Sequence, residues 1–364
     1  MEASRVSKEI LVNSHFGRYG VNFCDNGIED INENPVDKAV YIIDKNIASL
    51  YSQKLANILM NEKVLIIEAT EENKSIDKFS NYVDHLVDLK LRRGQTLVAI
   101  GGGIIQDITC FLSTTFMRGV PWIFFPTSLV AQADSCIGSK SSINSGNLKN
   151  ILGTFRPPVK VVIDVNFIDT LEKTEIFSGI GEMIKVHAIN SPKSFDKLSL
   201  SYKNIISDKL VLEKFIYESL LMKKKIIELD EFDDGPRNVM NYGHSFGHAL
   251  ESVTNYAIPH GIAVTMGMDL ANFTAVELGI SNKEEFDRMH GLLMANSLHY
   301  HNLSINLDQL MTALSKDKKN SVNTLKLILP DSSGKIFIDS YANNNKLKSS
   351  IHKYFTLYGN ETNS

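Results

Sequence analysis

The chain has 364 residues, enough at roughly 150 per domain for two domains and a sizeable buried core, which excludes a peptide hormone or a single small module. Hydrophobic residues make up 43% and charged residues 22%, as in ordinary soluble globular chains, which excludes global disorder and fibrous repeats. Lys+Arg 38 against Asp+Glu 42 gives a net charge of -4, without the positive excess that bulk binding to nucleic acid or to anionic membranes requires.

The first residues, MEASRVSKEILVNSHF, lack the basic patch and apolar stretch of a signal peptide, and no apolar run approaches the ~20 residues of a membrane span. The expectation is a cytoplasmic protein. Cys24, Cys110 and Cys136 are far apart, with no C-x-x-C spacing, and read as small core residues of a reducing compartment. Between about residues 36 and 170, the apolar runs AVYIID (39–44), VLIIEA (64–69), TLVAIGGG (96–103), WIFFPTS (122–128) and VKVVID (159–164) alternate with helical patterns. Runs of this kind predict strands buried on both faces, hence a parallel sheet with helical crossovers. From about residue 171 long amphipathic patterns take over, among them SGIGEMIKVHAI and KLVLEKFIYESLLMKKKII, with one late strand pair at TLKLILP and GKIFID. The boundary is placed at 1–171 and 172–364, and the Asn/Ser/Lys-rich end from YANNNKLKSS onward reads as a loose terminus.

Three constellations carry chemistry. In TLVAIGGGIIQD a strand runs into Gly101, Gly102 and Gly103 and then Asp107. Glycines there let a diphosphate approach the backbone, and the next helix supplies free N–H groups and a positive dipole end. Asp44 closes a strand, where it can accept from ribose hydroxyls or simply cap a helix, and Glu71 and Lys74 follow the next strand. In NYGHSFGHALE, His244 and His248 share a helical face, and His260 of PHG follows within seventeen residues of His244. A divalent metal also favours a carboxylate, for which Glu182, between glycines in SGIGEMIK, is the candidate. The remaining histidines read as ordinary core or surface groups. Last come cations set among apolar residues or glycines, Arg118, Lys140, Lys149, Lys185, Lys223 and Arg237, a pattern that suits a polyanion pocket.

In order along the chain, GGGIIQD, MRG, PTSLVAQADS, the KN of NLKNILG, GEMIK, NYGHSFGHALE, PHG and KDKK resemble 3-dehydroquinate synthases and their relatives, the sugar-phosphate cyclases, over about residues 40 to 330. Polyol dehydrogenases share the GGG-x-x-x-D element but not the MRG, KN and N-x-GH-x-x-GH set. The resemblance implies an α/β N-terminal Rossmann-like domain with a parallel sheet plus a mainly α-helical C-terminal domain. It implies Glu182, His244 and His260 as zinc (or cobalt) ligands, with His248 an active-site histidine that is not a ligand. Gly102, Gly103, Asp107, Thr127 and Ser128 match positions that hold NAD, as do Asp134, Lys149 and Thr170, with Asp44, Glu71 and Lys74 on the adenosine side. Arg118, Lys140, Asn150, Lys185, Lys223, Arg237 and Asn241 match substrate-binding positions, and Lys318 or Lys319 of KDKK should reach the phosphate. The family arginine of MRG serves a neighbouring subunit, so a homodimer is expected. The implied reaction is cyclisation of 3-deoxy-arabino-heptulosonate 7-phosphate with loss of phosphate, NAD being reduced and reoxidised within each turnover. One departure is Gly138, Ser139, Lys140, Ser141 where the family has Gly-Gly-Lys-Thr. It keeps open a cyclase acting on sedoheptulose 7-phosphate, glucose 6-phosphate or an amino analogue. A polyol dehydrogenase and a non-catalytic binder using KKK and KDKK are the rival classes.

Overall fold

The computed structural model describes residues 8–146, 148–315, 324–358 and 360–361, so Lys318 and Lys319 lie outside the described residues. The chain forms two compact units. One comprises Met1–Glu172 with Lys223–Asp233, the other Lys173–Met222 with Asp234–Ser364. No helix among the described residues is long and apolar enough to cross a membrane.

The first unit is built on a seven-stranded sheet. Its strands are β1 (Glu9–Ser14), β2 (Gly17–Cys24), β3 (Ala39–Asp44), β4 (Val64–Ile67), β5 (Thr96–Gly101), β6 (Trp122–Pro126) and β9 (Lys160–Asp164), in the order β1-β2-β9-β6-β5-β3-β4. Every pairing is parallel except β1 with β2. The expected strands are therefore present, except that β4 is not buried on both faces: it forms the sheet edge and leaves Ile66 half exposed. What periodicity did not reveal is the N-terminal hairpin, whose alternating, half-exposed residues extend the sheet through β2. A second hairpin, β7 (Ile143–Ser145) and β8 (Leu148–Leu152), is too short to carry a pattern. Helices α1 (Gly27–Glu33), α2 (Lys45–Leu50), α3 (Ala56–Leu59), α4 (Ile76–Asp88) and α5 (Gly103–Thr115) complete the unit. Tyr41 and Ile43 of β3, Val98 and Ile100 of β5 and Phe125 of β6 share one core with Ile28 and Phe167. Continuous apolar runs arise because the central strands are buried on both faces.

The second unit contains α6 (Lys173–Asn190), α7 (Pro192–Ser207), the first part of α8 (Lys209–Leu229), α9 (His244–Val253), α10 (His260–Leu278), α11 (Lys283–Ser297), α12 (Leu307–Ser315) and α13 (Asn345–Tyr358). A two-residue strand β10 (Ser304–Ile305) pairs with β13 (Asn360–Glu361), and β11 (Thr324–Pro330) pairs antiparallel with β12 (Ile336–Ala342), the expected late pair. Helix α10 is buried on every side from Gly261 to Ala275 and packs against α6, α9, α11 and α13. The C-terminal stretch is not loose. It folds as α13, burying Leu347, Ile351, Tyr354 and Phe355, and the Tyr354 hydroxyl donates to the buried Asp269 carboxylate at 2.7 Å. Its apolar residues recur at helical spacing, but polar residues between them lower the average hydrophobicity and mask the stripe.

Where α6 crosses α10 the backbones nearly touch. A Cβ on Gly261 would lie 1.8 Å from the Ser178 carbonyl oxygen, and one on Gly181 2.1 Å from the Gly261 carbonyl oxygen. Only glycine allows that approach, which sets Glu182 beside His260. Gly261→Ala should therefore cost about 2–3 kcal/mol as an overpacking change and lower the calorimetric melting midpoint by about 5–10 °C. Gly291→Ala, in α11 with nothing within 4 Å of the new Cβ, should instead raise it slightly through helix propensity.

Candidate active site

In the second unit α6, α9 and α10 bring four sequence-predicted residues together. Glu182 is 1% exposed, and its Oε1 lies 3.4 Å from His260 Nε2 and 3.9 Å from His244 Nε2. The other oxygen accepts from Lys185 Nζ at 2.5 Å, whereas Oε1 is buried with no hydrogen bond. Ligating atoms of His244, His248 and His260 lie within 4.8 Å of one another. Burial alone would push the Glu182 carboxyl up, but Lys185, His260 and His244 hold it well below the usual range. Burial and the Lys185 charge push His244 well down, which keeps its imidazole neutral, the form that binds a metal.

The outer shell fixes the rings. His244 Nδ1 lies 3.3 Å from the Tyr242 carbonyl oxygen and His260 Nδ1 3.2 Å from Glu251 Oε1, so both Nε2 atoms turn toward Glu182. For His260, burial favours the neutral form, but Glu182 and Glu251 outweigh it and raise the group to about 10. A carboxylate behind a ligating histidine is the usual second-shell arrangement of metal sites. With one buried, hydrogen-bond-deprived oxygen facing two oriented imidazoles, the donor set fits a divalent cation.

In the first unit the strand order reverses between β3 and β5, the topological switch point where open α/β sheets bind ligands. Asp44 ends β3 and Gly101 ends β5. Gly102 caps α5 and Gly103 opens it, and a Cβ on Gly103 would meet nothing within 4 Å, so the N-terminus of a thirteen-residue helix faces open space. Thr127 N–H donates to the Gly101 carbonyl, and a Cβ on Gly102 would lie 3.2 Å from Ser128 Oγ, which leaves the end of β6 close against the cradle. That geometry fits a diphosphate. One Asp44 oxygen accepts from Asn46 N–H at 3.0 Å, so the residue does cap α2. Thr170 meets Tyr51 Oη at 3.0 Å beside a cavity of about 630 Å³ that it lines with Tyr51, Lys54 and Glu29.

Lys74, nearly buried, donates to Asp107 Oδ2 at 3.3 Å and to Asn150 Oδ1 at 3.1 Å and lies 3.4 Å from Glu71. Burial raises Asp107 to about 6 against the opposing charge of Lys74. Lys149 is exposed on β8, where its charge helps hold Glu71 below its ordinary range. Lys223 Nζ donates to the Asp134 carbonyl at 2.6 Å and lies 3.1 Å from its carboxylate, and Lys140 Nζ meets Asp233 at 2.6 Å. Arg118 is exposed, with φ +65°. In the second unit Arg237 is buried, and Asn241 Nδ2 donates to the Asn238 carbonyl on the same turn. Glu251, Asp233 and Asn144, which joins Glu71 to Asn150, escaped sequence reasoning. Only Glu251 had a signal, closing the motif that begins with His244.

Residues 64–178 match the 3-dehydroquinate synthase N-terminal family model and residues 179–320 the 3-dehydroquinate synthase C-terminal model. A 3-dehydroquinate synthase of Helicobacter pylori (strain P12) is 34% identical over 307 residues, covering 84% of this chain and 88% of that protein. The fold is shared with 2-deoxy-scyllo-inosose synthase, solved with carbaglucose-6-phosphate, NAD+ and Co2+, at a TM-score of 0.82 and 20% identity over 96% of this chain and 100% of the other. It is shared equally with 2-epi-5-epi-valiolone synthase from Streptomyces hygroscopicus subsp. jinggangensis 5008, solved with NAD+ and Zn2+, at a TM-score of 0.82 and 23% identity over 98% and 100%. By these matches the chain belongs to the 3-dehydroquinate synthase family of lyase-type cyclases.

Proposed function

We propose that the chain cyclises 3-deoxy-arabino-heptulosonate 7-phosphate with elimination of phosphate, as a 3-dehydroquinate synthase, using NAD and one divalent cation, zinc or cobalt. The observation that carries the choice of substrate is the presence of both Lys223 and Arg237, each buried, at the positions that grip a carboxylate in dehydroquinate synthases. Buried cations suit an anionic ligand group, and a neutral sugar phosphate offers no carboxylate. The variant Gly138–Ser141 loop is the departure that motivates a second reading, a cyclase for sedoheptulose 7-phosphate, glucose 6-phosphate or an amino analogue.

Glu182, His244 and His260 hold the cation, with Glu251 and the Tyr242 carbonyl fixing the imidazoles. Bound there, the cation would supply Lewis acidity toward a secondary hydroxyl of the substrate, and NAD would supply a reversible hydride acceptor, the chemistry that phosphate elimination and carbocycle closure require. Gly102 and Gly103 offer backbone N–H groups to the dinucleotide's phosphates, flanked by Thr127, Ser128 and Lys149, while Asp134 and Thr170 border the nucleotide. Asp44 and Glu71 accept from ribose hydroxyls, and Lys74 keeps Asp107 and Glu71 in place. Lys140, Asn150 and Lys318 or Lys319 hold phosphate, joined by Arg118 from a second copy in a homodimer. Lys185 stays beside Glu182 and orients the hydroxyl, Asn241 hydrogen-bonds the ring substituents, and an imidazole nitrogen of His248 takes up and returns a proton. Clamping at both ends keeps one substrate in place through several steps.

Three measurements test this reading. Glu182→Ala or His260→Ala should empty the site by elemental analysis and lower phosphate release by about a thousandfold or more, since a metal-dependent step is lost; full activity in a metal-free variant contradicts the assignment. Glu251→Ala should weaken cation binding about 10- to 100-fold in a chelator competition, with the melting midpoint of the metal-free protein nearly unchanged. Finally, the protein loaded with zinc and NAD should release phosphate from the seven-carbon ulosonate phosphate without net accumulation of reduced nicotinamide. Release from glucose 6-phosphate or sedoheptulose 7-phosphate alone selects the second reading, and stoichiometric NADH with a simple polyol selects a dehydrogenase.

A further inference from the structure

Asn144 is assigned to neither ligand, yet it is the junction between residues proposed for both. It lies on β7, 5% exposed. Its Nδ2 donates to the Glu71 carboxylate at 2.8 Å and to the Glu71 carbonyl at 3.0 Å, and its Oδ1 accepts from the Asn150 N–H at 2.9 Å. From Asn150 the connection returns through the side chain, whose Oδ1 accepts from Lys74 Nζ at 3.1 Å, and Lys74 lies 3.4 Å from the other Glu71 oxygen. The ring Glu71–Asn144–Asn150–Lys74 is closed, and Asp107 joins it at Lys74.

Asn150 sits at φ +53°, a left-handed conformation in which a side-chain-bearing residue is strained. The bond from its N–H to Asn144 and the one from Lys74 to its side chain tie it there. A ligand that fixes the Glu71 carboxylate therefore also fixes the Asn144 carboxamide, and through it the backbone that presents the Asn150 side chain. Because both arms start from one planar amide, Asn144 cannot turn to suit one neighbour without losing the other.

We infer that Asn144 is a positioning residue that couples the two ligands: nucleotide bound against Glu71 pre-sets Asn150 for the phosphate, and phosphate bound at Asn150 tightens the nucleotide site by the same factor. This rests on the proposed placement of NAD and phosphate. No covalent step is involved.

The test is the dissociation constant of NAD, by titration calorimetry on the metal-loaded full chain, with and without saturating inorganic phosphate. For the unsubstituted protein phosphate should tighten NAD by about fivefold or more. In Asn144→Ala the ratio should fall below about twofold, because both arms of the junction are gone. Asn144→Asp keeps an acceptor for the Asn150 N–H but sets a carboxylate against Glu71. It should lose the coupling as well, and its melting midpoint reports whether the fold is intact. A merely structural asparagine would lower the midpoint and leave the ratio alone. A wild-type ratio in either folded variant, or no phosphate effect on NAD binding by the unsubstituted protein, overturns the inference. An unsubstituted protein that binds phosphate but not NAD overturns it together with the nucleotide reading.

Discussion

A carboxylate buried to 1% exposure has lost its hydration and must recover that energy from its neighbours, and in Glu182 the recovery comes from three helices at once. Lys185 lies one turn along α6, His244 comes from the start of α9 and His260 from the start of α10. Lys185 and protonated His260 carry the charge, while the neutral His244 ring offers only a dipole. Two unit charges about 4 Å apart interact by about 4 kcal/mol at an effective dielectric near 20, which keeps the group ionised while those two stay in position. Removing one partner of such a buried set typically costs about 3–5 kcal/mol. The glycine contact between α6 and α10 is thus a condition of the electrostatics, since a wider separation would strand the charge. Packing and chemistry in the second unit rest on the same few atoms.

The first unit solves a different problem with the same economy. A parallel sheet buries its central strands on both faces, so its polar chemistry can only sit at strand ends. Asp44, Gly101 to Gly103, Thr127 and Ser128 all lie at the carboxyl ends of β3, β5 and β6, and two of these strand ends flank the switch point. The glycines serve by what they omit. A side chain at Gly101 would collide with Ile105 at 2.5 Å, whereas one at Gly103 would only fill the space in front of the helix N-terminus.

How much of this could be read in the amino-acid sequence depended on whether the signal was local. Strands β3, β4, β5, β6 and β9 and the helices α6, α8, α9 and α10 were legible because each carries its own run of apolar residues. His244, His248 and His260 stood out by spacing, and Glu182 by the small residues beside it, and these four do converge. What stayed hidden depends on distant partners. The β1–β2 hairpin is stabilised by joining β9, far along the chain, and its turn is held by Glu228 and Glu231, whose carboxylates accept from Asn13, Ser14 and His15. The same separation explains Lys223–Asp233, which fold with the first unit although their helix begins in the second. Asn144 and Asp233 looked like ordinary polar loop residues because their partners are 73 and 93 positions away.

Four of the lysines in the candidate site, all among the described residues, share one further property: a carboxylate partner. Lys74 has Asp107, Lys140 has Asp233, Lys185 has Glu182 and Lys223 has Asp134. Pairing of this kind cancels net charge, which on Coulombic grounds alone would weaken the pull on an anionic substrate. An ammonium group, however, carries three rotatable donors and can redistribute them among its acceptors when a new one arrives. The pair offsets the desolvation cost of a buried cation and fixes a side chain whose rotamer freedom is worth about 1.5–2 kcal/mol, so less ordering remains to be done when an anion arrives. A planar guanidinium held two-pronged by a carboxylate would have committed its fork to that partner, whereas a lysine can keep the carboxylate on one N–H and turn another toward phosphate. The prevalence of lysine among these cations is what a site must have if it is to be both assembled before its polyanion binds and still able to receive it.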